Sequence, residues 1–227
     1  MASPHAHQIR HDAPVLLIGL GRFGSAAAAE LDLLGREVLA VDSDAALVQE
    51  WAEQVTHTVQ ADSTQLDALR QIGAAEFQIA IVAVGSQIEA SVLITANLVE
   101  LGIPQIWAKA VSKSHGRILE RIGAHHVIYP EAEAGERIAR LVSGRMLDFI
   151  QFDDDFVFVK MHAPRPLFGK TLTESGVRTV HKVTVVGIKS PGEPFTHATE
   201  QTVVHEGDLI VVSGREADVQ RFAGLEG

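Results

Sequence analysis

The sequence predicts an α/β protein, a doubly wound parallel sheet followed by a smaller α+β domain. Three observations carry this. Short apolar runs of strand length alternate, as far as Tyr129, with longer segments whose apolar residues fall at helical spacing. A glycine triplet stands at the first strand-to-helix junction. Beyond Asp153-Asp154-Asp155 the rhythm changes to strands and turns.

The strand runs are Val15–Ile18, Val38–Val41, Thr56–Val59, Ile79–Val84, Gln105–Ala108 and His126–Tyr129. Their near-continuous apolar character fits strands covered on both faces. Between them, Phe23–Leu34, Ala45–Gln54, Leu66–Ile72, Ile88–Leu101 and Ser114–Ile122 read as helices. Helical crossovers of this length demand parallel pairing. After Pro130 one long helix is expected over Glu131–Phe149, with Ile138, Leu141, Val142 and Met146 on a stripe. Gly135 and Gly144 allow it to bend or break. Phe156–Met161, Val183–Ile188 and Leu209–Val212 read as later strands, with a turn at Pro191-Gly192. The boundary is placed near Gln151, giving domains over 13–150 and 151–227.

Composition excludes several function classes. Apolar residues are 46% and charged residues 21%, ordinary globular usage, so the chain is not disordered as a whole. A formal charge of −10 is the wrong sign for a nucleic-acid binder. With no cysteine, disulfide scaffolds, thiol nucleophiles and cysteine-ligated zinc drop out together. The longest run free of charge, Phe77–Ile88, has twelve residues. A membrane-spanning helix needs roughly 20. Met1–Asp12 holds His5, His7 and His11 but no apolar signal core, and reads as a solvated leader. A soluble cytoplasmic protein is expected.

The chemistry concentrates at one junction. The first strand runs into Gly19-Leu20-Gly21-Arg22-Phe23-Gly24 and then into a helix, the setting that a dinucleotide-type fingerprint requires. Gly19 permits the tight turn, Gly21 lets backbone N–H groups approach phosphate, and Gly24 lets helix and strand pack closely. Asp42 ends the next strand, eighteen residues past Gly24, where a carboxylate accepts hydrogen bonds from ribose hydroxyls. Ser43 and Asp44 can cap the following helix, which leaves Asp42 for ribose. Asp62 and Ser63 end the third strand, with Asp62 a helix cap, a group near the adenine edge, or both. Val84, Gly85 and Lys109 stand at the same carboxyl edge, Lys109 either as a rim charge or as a phosphate contact. The fold expected is thus of Rossmann type.

These residues resemble a known family. The run Ile18–Gly24, with Asp42 and Asp62, is similar to the RCK N domain, the domain that regulates conductance of potassium in TrkA- and KtrA-type uptake proteins. Trp107-Ala108-Lys109 and Tyr129-Pro130-Glu131 match its later strands. Gly169-Lys170-Thr171-Leu172, Val177-Arg178, Val185–Lys189 and Glu206-Gly207-Asp208 resemble the companion RCK C domain.

The resemblance implies a cytosolic gating subunit, not an enzyme. Such subunits dimerise, close into a ring of four dimers, and dock on the inner face of the membrane beneath a KtrB- or TrkH-like potassium channel or transporter subunit. One copy of each domain resembles the KtrA arrangement, which switches between ATP and ADP, whereas the TrkA arrangement is tied to NAD(H). Arg22 is implied to reach the terminal phosphate of a neighbouring subunit's nucleotide. A cation at a helix N-terminus is otherwise disfavoured. Glu131 is implied to help hold a divalent cation near that phosphate, although a carboxylate at a helix start is also favoured by the dipole alone. In the C domain the resemblance implies cyclic di-AMP, with Arg178, Val183 and Thr184 as contacts. Relatives that bind it often carry asparagine where Thr184 stands.

Two rivals come from other classes. A nicotinamide-dependent oxidoreductase shares the fold, but His162, His181, His197 and His205 are scattered with no evident acid–base pair. A DNA-binding redox sensor needs a basic helix, and none is present in the sequence.

Overall fold

Val15–Ile18 (β1) is buried at all four residues, as a strand with neighbours on both edges and both faces must be. In the computed structural model, which describes residues 12–142, 146–153 and 155–225, β1 lies inside a six-stranded sheet. The leader as far as His11, together with Gly144 and Asp154, lies outside the described residues. Around β1 run β2 (Val38–Asp42), β3 (His57–Gln60), β4 (Ile79–Val82), β5 (Gln105–Lys109) and β6 (His126–Ile128), in the order β3-β2-β1-β4-β5-β6, all parallel.

The helices between them are α1 (Arg22–Leu33), α2 (Ala45–Trp51), α3 (Leu66–Gln71), α4 (Ile88–Glu100) and α5 (Lys113–Ile122). Successive strand residues point to opposite faces. Leu17 therefore joins a cluster with Ala28, Val38 and Ala40, while Leu16 and Ile18 join Leu69, Ile94, Leu98 and Leu119. The doubly wound sheet expected from the sequence is the one found. Reversal of strand order between β1 and β4 opens a crevice at their carboxyl ends, where ligands bind in such sheets.

The chain divides into two compact units, Met1–Ala132 and Glu133–Gly227. α6 (Pro130–Val142) crosses that division. The expected helix to Phe149 stops short: Asp148–Gln151 is a strand (β7), antiparallel to β8 (Phe156–His162) and paired from Asp148↔Lys160 to Gln151↔Val157. Met146, read as part of the helical stripe, is instead buried in the second unit's core, and Phe149 packs against that core. Strand pairing and core burial outweigh a helical pattern that had to run through Gly144.

The second unit is a five-stranded sheet in the order β10-β9-β11-β8-β7, its other strands being β9 (Thr184–Lys189), β10 (Thr196–His197) and β11 (Leu209–Arg215). Short helices α7 (Leu172–Ser175) and α8 (Val177–Val180) precede β9, and α9 (Glu216–Ala223) follows β11. Val157, Val159 and Met161 alternate into the core of this unit and meet Ile210, Val212 and Phe222. Among the described residues no helix is long and apolar enough to cross a membrane.

Candidate nucleotide site

Three glycines shape the turn after β1, each for a different reason. Gly19 has φ +102°, and a Cβ there would press within 3.3 Å on the backbone of Ala83 and Val84 after β4. A Cβ on Gly24 would stand 1.8 Å from the Gly19 carbonyl oxygen, so only glycine lets α1 lie this close to β1. Gly21 is ordinary extended backbone at the helix N-cap, and a Cβ on it would meet nothing within 4 Å. That open side is what a phosphate needs. No side chain caps α1 and no acid stands in its first turn, so its amide groups face an anion without competition.

Asp42 is tied to this loop. Its Oδ2 accepts the Leu20 N–H at 2.7 Å and its Oδ1 accepts the Asp44 N–H at 2.9 Å. Capping of α2 falls to Asp44, whose side chain accepts the Ala46 N–H. The carboxylate is thereby fixed in direction, and its remaining lone pairs suit vicinal ribose hydroxyls.

Asp42 shares a cleft with Gly19, Asp62, Ser63, Val84 and Gln87. Asp62 accepts the Thr64 hydroxyl at 2.6 Å and the Thr64 N–H at 3.0 Å. These bonds, the hydroxyl first, hold its carboxyl below the usual aspartate range. Ser63 is buried at 5% exposure, and its hydroxyl has no hydrogen-bond partner among the described residues.

Further along the same edge, Lys109 ends β5 with its ammonium 2.6 Å from Glu131 Oε1 and 5.7 Å from the Phe23 ring centroid. The Lys109 hydrogen bond comes first, with its charge and that of Arg22 adding to it, and together they hold the Glu131 carboxyl below the ordinary glutamate range. The structure thus gathers Arg22, Phe23, Gly85, Lys109 and Glu131 from four segments, and it pairs Lys109 with Glu131, a contact the sequence did not reveal. Within this one chain the described residues assemble no cation cage. Glu131 is a single carboxylate already paired to an ammonium, and no group of three His, Asp or Glu among the described residues could hold a metal.

In the second unit Arg178 and Thr184 line a cleft of about 350 Å³ with Thr173, Thr179, Thr199 and Glu200. Val183 lies instead in the hydrophobic core at 1% exposure, where it supports the cleft and does not face it. Sequence reasoning missed Glu200, and in the first unit Thr64 and Gln87. Gln87 follows the end of β4, and the switch-point rule could have found it.

A parallel 3-2-1-4-5-6 sheet with this glycine loop, and an acid ending β2, defines a nucleotide-binding domain of Rossmann type. The chain belongs to the TrkA-N and TrkA-C domain family, the first domain matching residues 15–130 and the second residues 156–226. It is 38% identical to the Ktr system potassium uptake protein A of Bacillus subtilis, over 91% of this chain and 93% of that one. With the Ktr system potassium uptake protein C of the same organism it shares 36% identity, over 91% and 94% of the two chains. The fold is also that of the GsuK channel bound to NAD, with a TM-score of 0.66 at 20% identity over 96% of this chain. The chain spans about two fifths of the GsuK length, 40%.

Proposed function

We propose that the chain is a nucleotide-switched regulatory subunit of a membrane-embedded potassium channel or transporter, and not an enzyme. The carrying observation is the Asp42 carboxylate bonded to the glycine loop, in a chain whose relatives along more than nine tenths of their length are potassium uptake proteins. The subunit acts from the cytoplasmic side through its partner, as dimers closing into an octameric ring. The N domain binds the nucleotide and the C domain dimerises.

The nucleotide is ATP or ADP. Gly19, Gly21 and Gly24 with α1 take the phosphates, Asp42 the ribose, and Asp62 and Ser63 the adenine edge. A dinucleotide extends its second half over β4 and β5. There the Lys109 stem fills the space beside Gly85, with Cε 3.1 Å from where a Cβ would stand, and its ammonium is committed to Glu131. NAD(H) is the second reading, favoured by the likeness to GsuK bound to NAD. The proposal does not extend to a divalent cation. Cyclic di-AMP fits the second cleft through Arg178 and Thr184, although Glu200 faces the same space as any phosphate placed there.

Mass spectrometry of the small molecule retained by the purified protein, with calorimetry of ATP, ADP and NADH, tests this. Adenine mononucleotide bound tighter than NADH is expected. NADH bound tighter favours the second reading, and specific NADH turnover with any substrate overturns the regulatory one.

A further inference from the structure

We infer that Asn97 is a positioning residue for purine selection, an inference that rests on the nucleotide reading above. Asn97 lies in the last turn of α4, one helical face along from Ala90 and Ile94, which wall the cleft. Its side-chain amide nitrogen donates to two successive carbonyls of the loop after β3, Ser63 O at 3.3 Å and Thr64 O at 2.9 Å. One side chain therefore anchors that loop to the helix forming the opposite wall.

The two residues it holds both line the cleft, next to Asp62. Ser63 lines the cleft with a buried hydroxyl that lacks a partner among the described residues, and a polar ligand group relieves that deficit. Thr64 donates twice to Asp62 Oδ1 and so orients its carboxylate. The chain of contacts runs from Asn97 through Thr64 to Asp62.

An ionised carboxylate accepts hydrogen bonds and cannot donate them. The amino group at C6 of adenine donates, whereas guanine presents a carbonyl oxygen at that position, which a carboxylate repels. A site built to satisfy one pattern leaves polar groups unpaired with the other. Selection therefore depends on the loop standing at the right distance, and Asn97 sets that distance. The asparagine touches no nucleotide itself.

The test is calorimetry of ADP and GDP on the full chain, on Asn97→Ala and on Asn97→Asp, with thermal melts of all three. Alanine is the best helix former, so Asn97→Ala retains the fold. Wild type is expected to prefer ADP. Asn97→Ala should lose about tenfold of that preference, as expected for two neutral hydrogen bonds, chiefly through weaker ADP. Asn97→Asp, which turns an acceptor toward both carbonyls, should lose at least as much. An unchanged ADP:GDP ratio in a folded variant, even with both affinities lowered, overturns the inference, and so does equal binding of the two by wild type. If wild type binds neither, the nucleotide reading itself fails.

Discussion

Lys109 Nζ lies 2.6 Å from Glu131 Oε1, joining the end of β5 to the start of α6 across the site's edge. Neither residue is then a free rim charge. Gly85 acquires its reason here too: a Cβ there would stand 3.1 Å from both Lys109 Cε and Val111 Cγ1, so the loop after β4 is small to admit the lysine stem.

The pair gives a pH prediction. Glu131's carboxyl is held low in the folded chain, so its contribution is present above the ordinary glutamate pKa of about 4.3. It is lost as the pH falls through the lower folded-state value. Glu131→Gln keeps an acceptor for Lys109 and removes the charge. Because Glu131 is largely exposed, the substitution should cost at most about 1 kcal/mol at pH 7, a shift of roughly 2–4 °C. Thermal midpoints from pH 7 to pH 3.5 should converge for the two proteins on acidification. A gap that widens on acidification contradicts this.

The two helix-entry glycines should separate stability from binding. Gly24→Ala forces a methyl onto the Gly19 carbonyl and should destabilise by about 1–3 kcal/mol. Gly21→Ala meets no protein atom and should change stability by less than about 0.5 kcal/mol, yet weaken ADP because the methyl stands where phosphate approaches. Gly21→Asp should abolish binding, because a carboxylate there repels the phosphates. Melts and calorimetry on the three variants check this. Undiminished ADP affinity in folded Gly21→Asp places the phosphates elsewhere.

The glycine loop, Asp42 and the order of elements were legible because each rests on local geometry, a turn, an N-terminus or a strand end. What the sequence hid was non-local. Nothing in the spacing of Lys109 and Glu131 says that they meet, since the pairing of β5 with β6 brings them together. Val183 was implied by the resemblance to the C domain, but it stands just before β9 and its side chain turns into the core. β7 was lost for a local reason: the helical stripe was carried through Met146, whereas Asp148–Gln151 pairs in a hairpin with the strand that begins five residues further on. α9 was legible and overlooked: Val219, Phe222 and Ala223 fall at helical spacing after two first-turn acids.

Asp42 should prove to have two separable roles. Asp42→Ala leaves the buried Leu20 N–H unpaired and should cost about 1–3 kcal/mol of stability as well as nucleotide affinity. Asp42→Asn returns one acceptor oxygen and should recover most of the stability while ribose affinity stays low. ATP and ADP share the ribose, so both should weaken alike, by roughly ten- to a hundredfold. Melting curves beside paired titrations decide it, and a loss confined to ATP contradicts the ribose role.

Arg22 separates a switch from a scaffold. It is the first residue of α1, where the helix dipole disfavours a cation, and it is exposed, close enough to Glu131 for its charge to act on that carboxyl. Phosphate beside the helix end would reverse the penalty. If Arg22 reads the terminal phosphate of a neighbouring subunit's nucleotide, its contribution exists with ATP and not with ADP. A ligand shifts a conformational equilibrium only by its differential affinity for the two states. Arg22→Ala should therefore erode the preference for ATP by roughly ten- to a hundredfold, the value of a charged hydrogen bond, and leave ADP nearly unchanged. Arg22→Lys should rescue in part, because a point charge does not reproduce the planar fork. The measurement is paired ATP and ADP titration with light scattering for oligomer size. Equal loss for both nucleotides would assign Arg22 to holding the loop. No loss for either would place the ATP-sensing contact on another residue, with Lys109 the next to substitute, because its ammonium lies over Phe23 beside the same glycine turn.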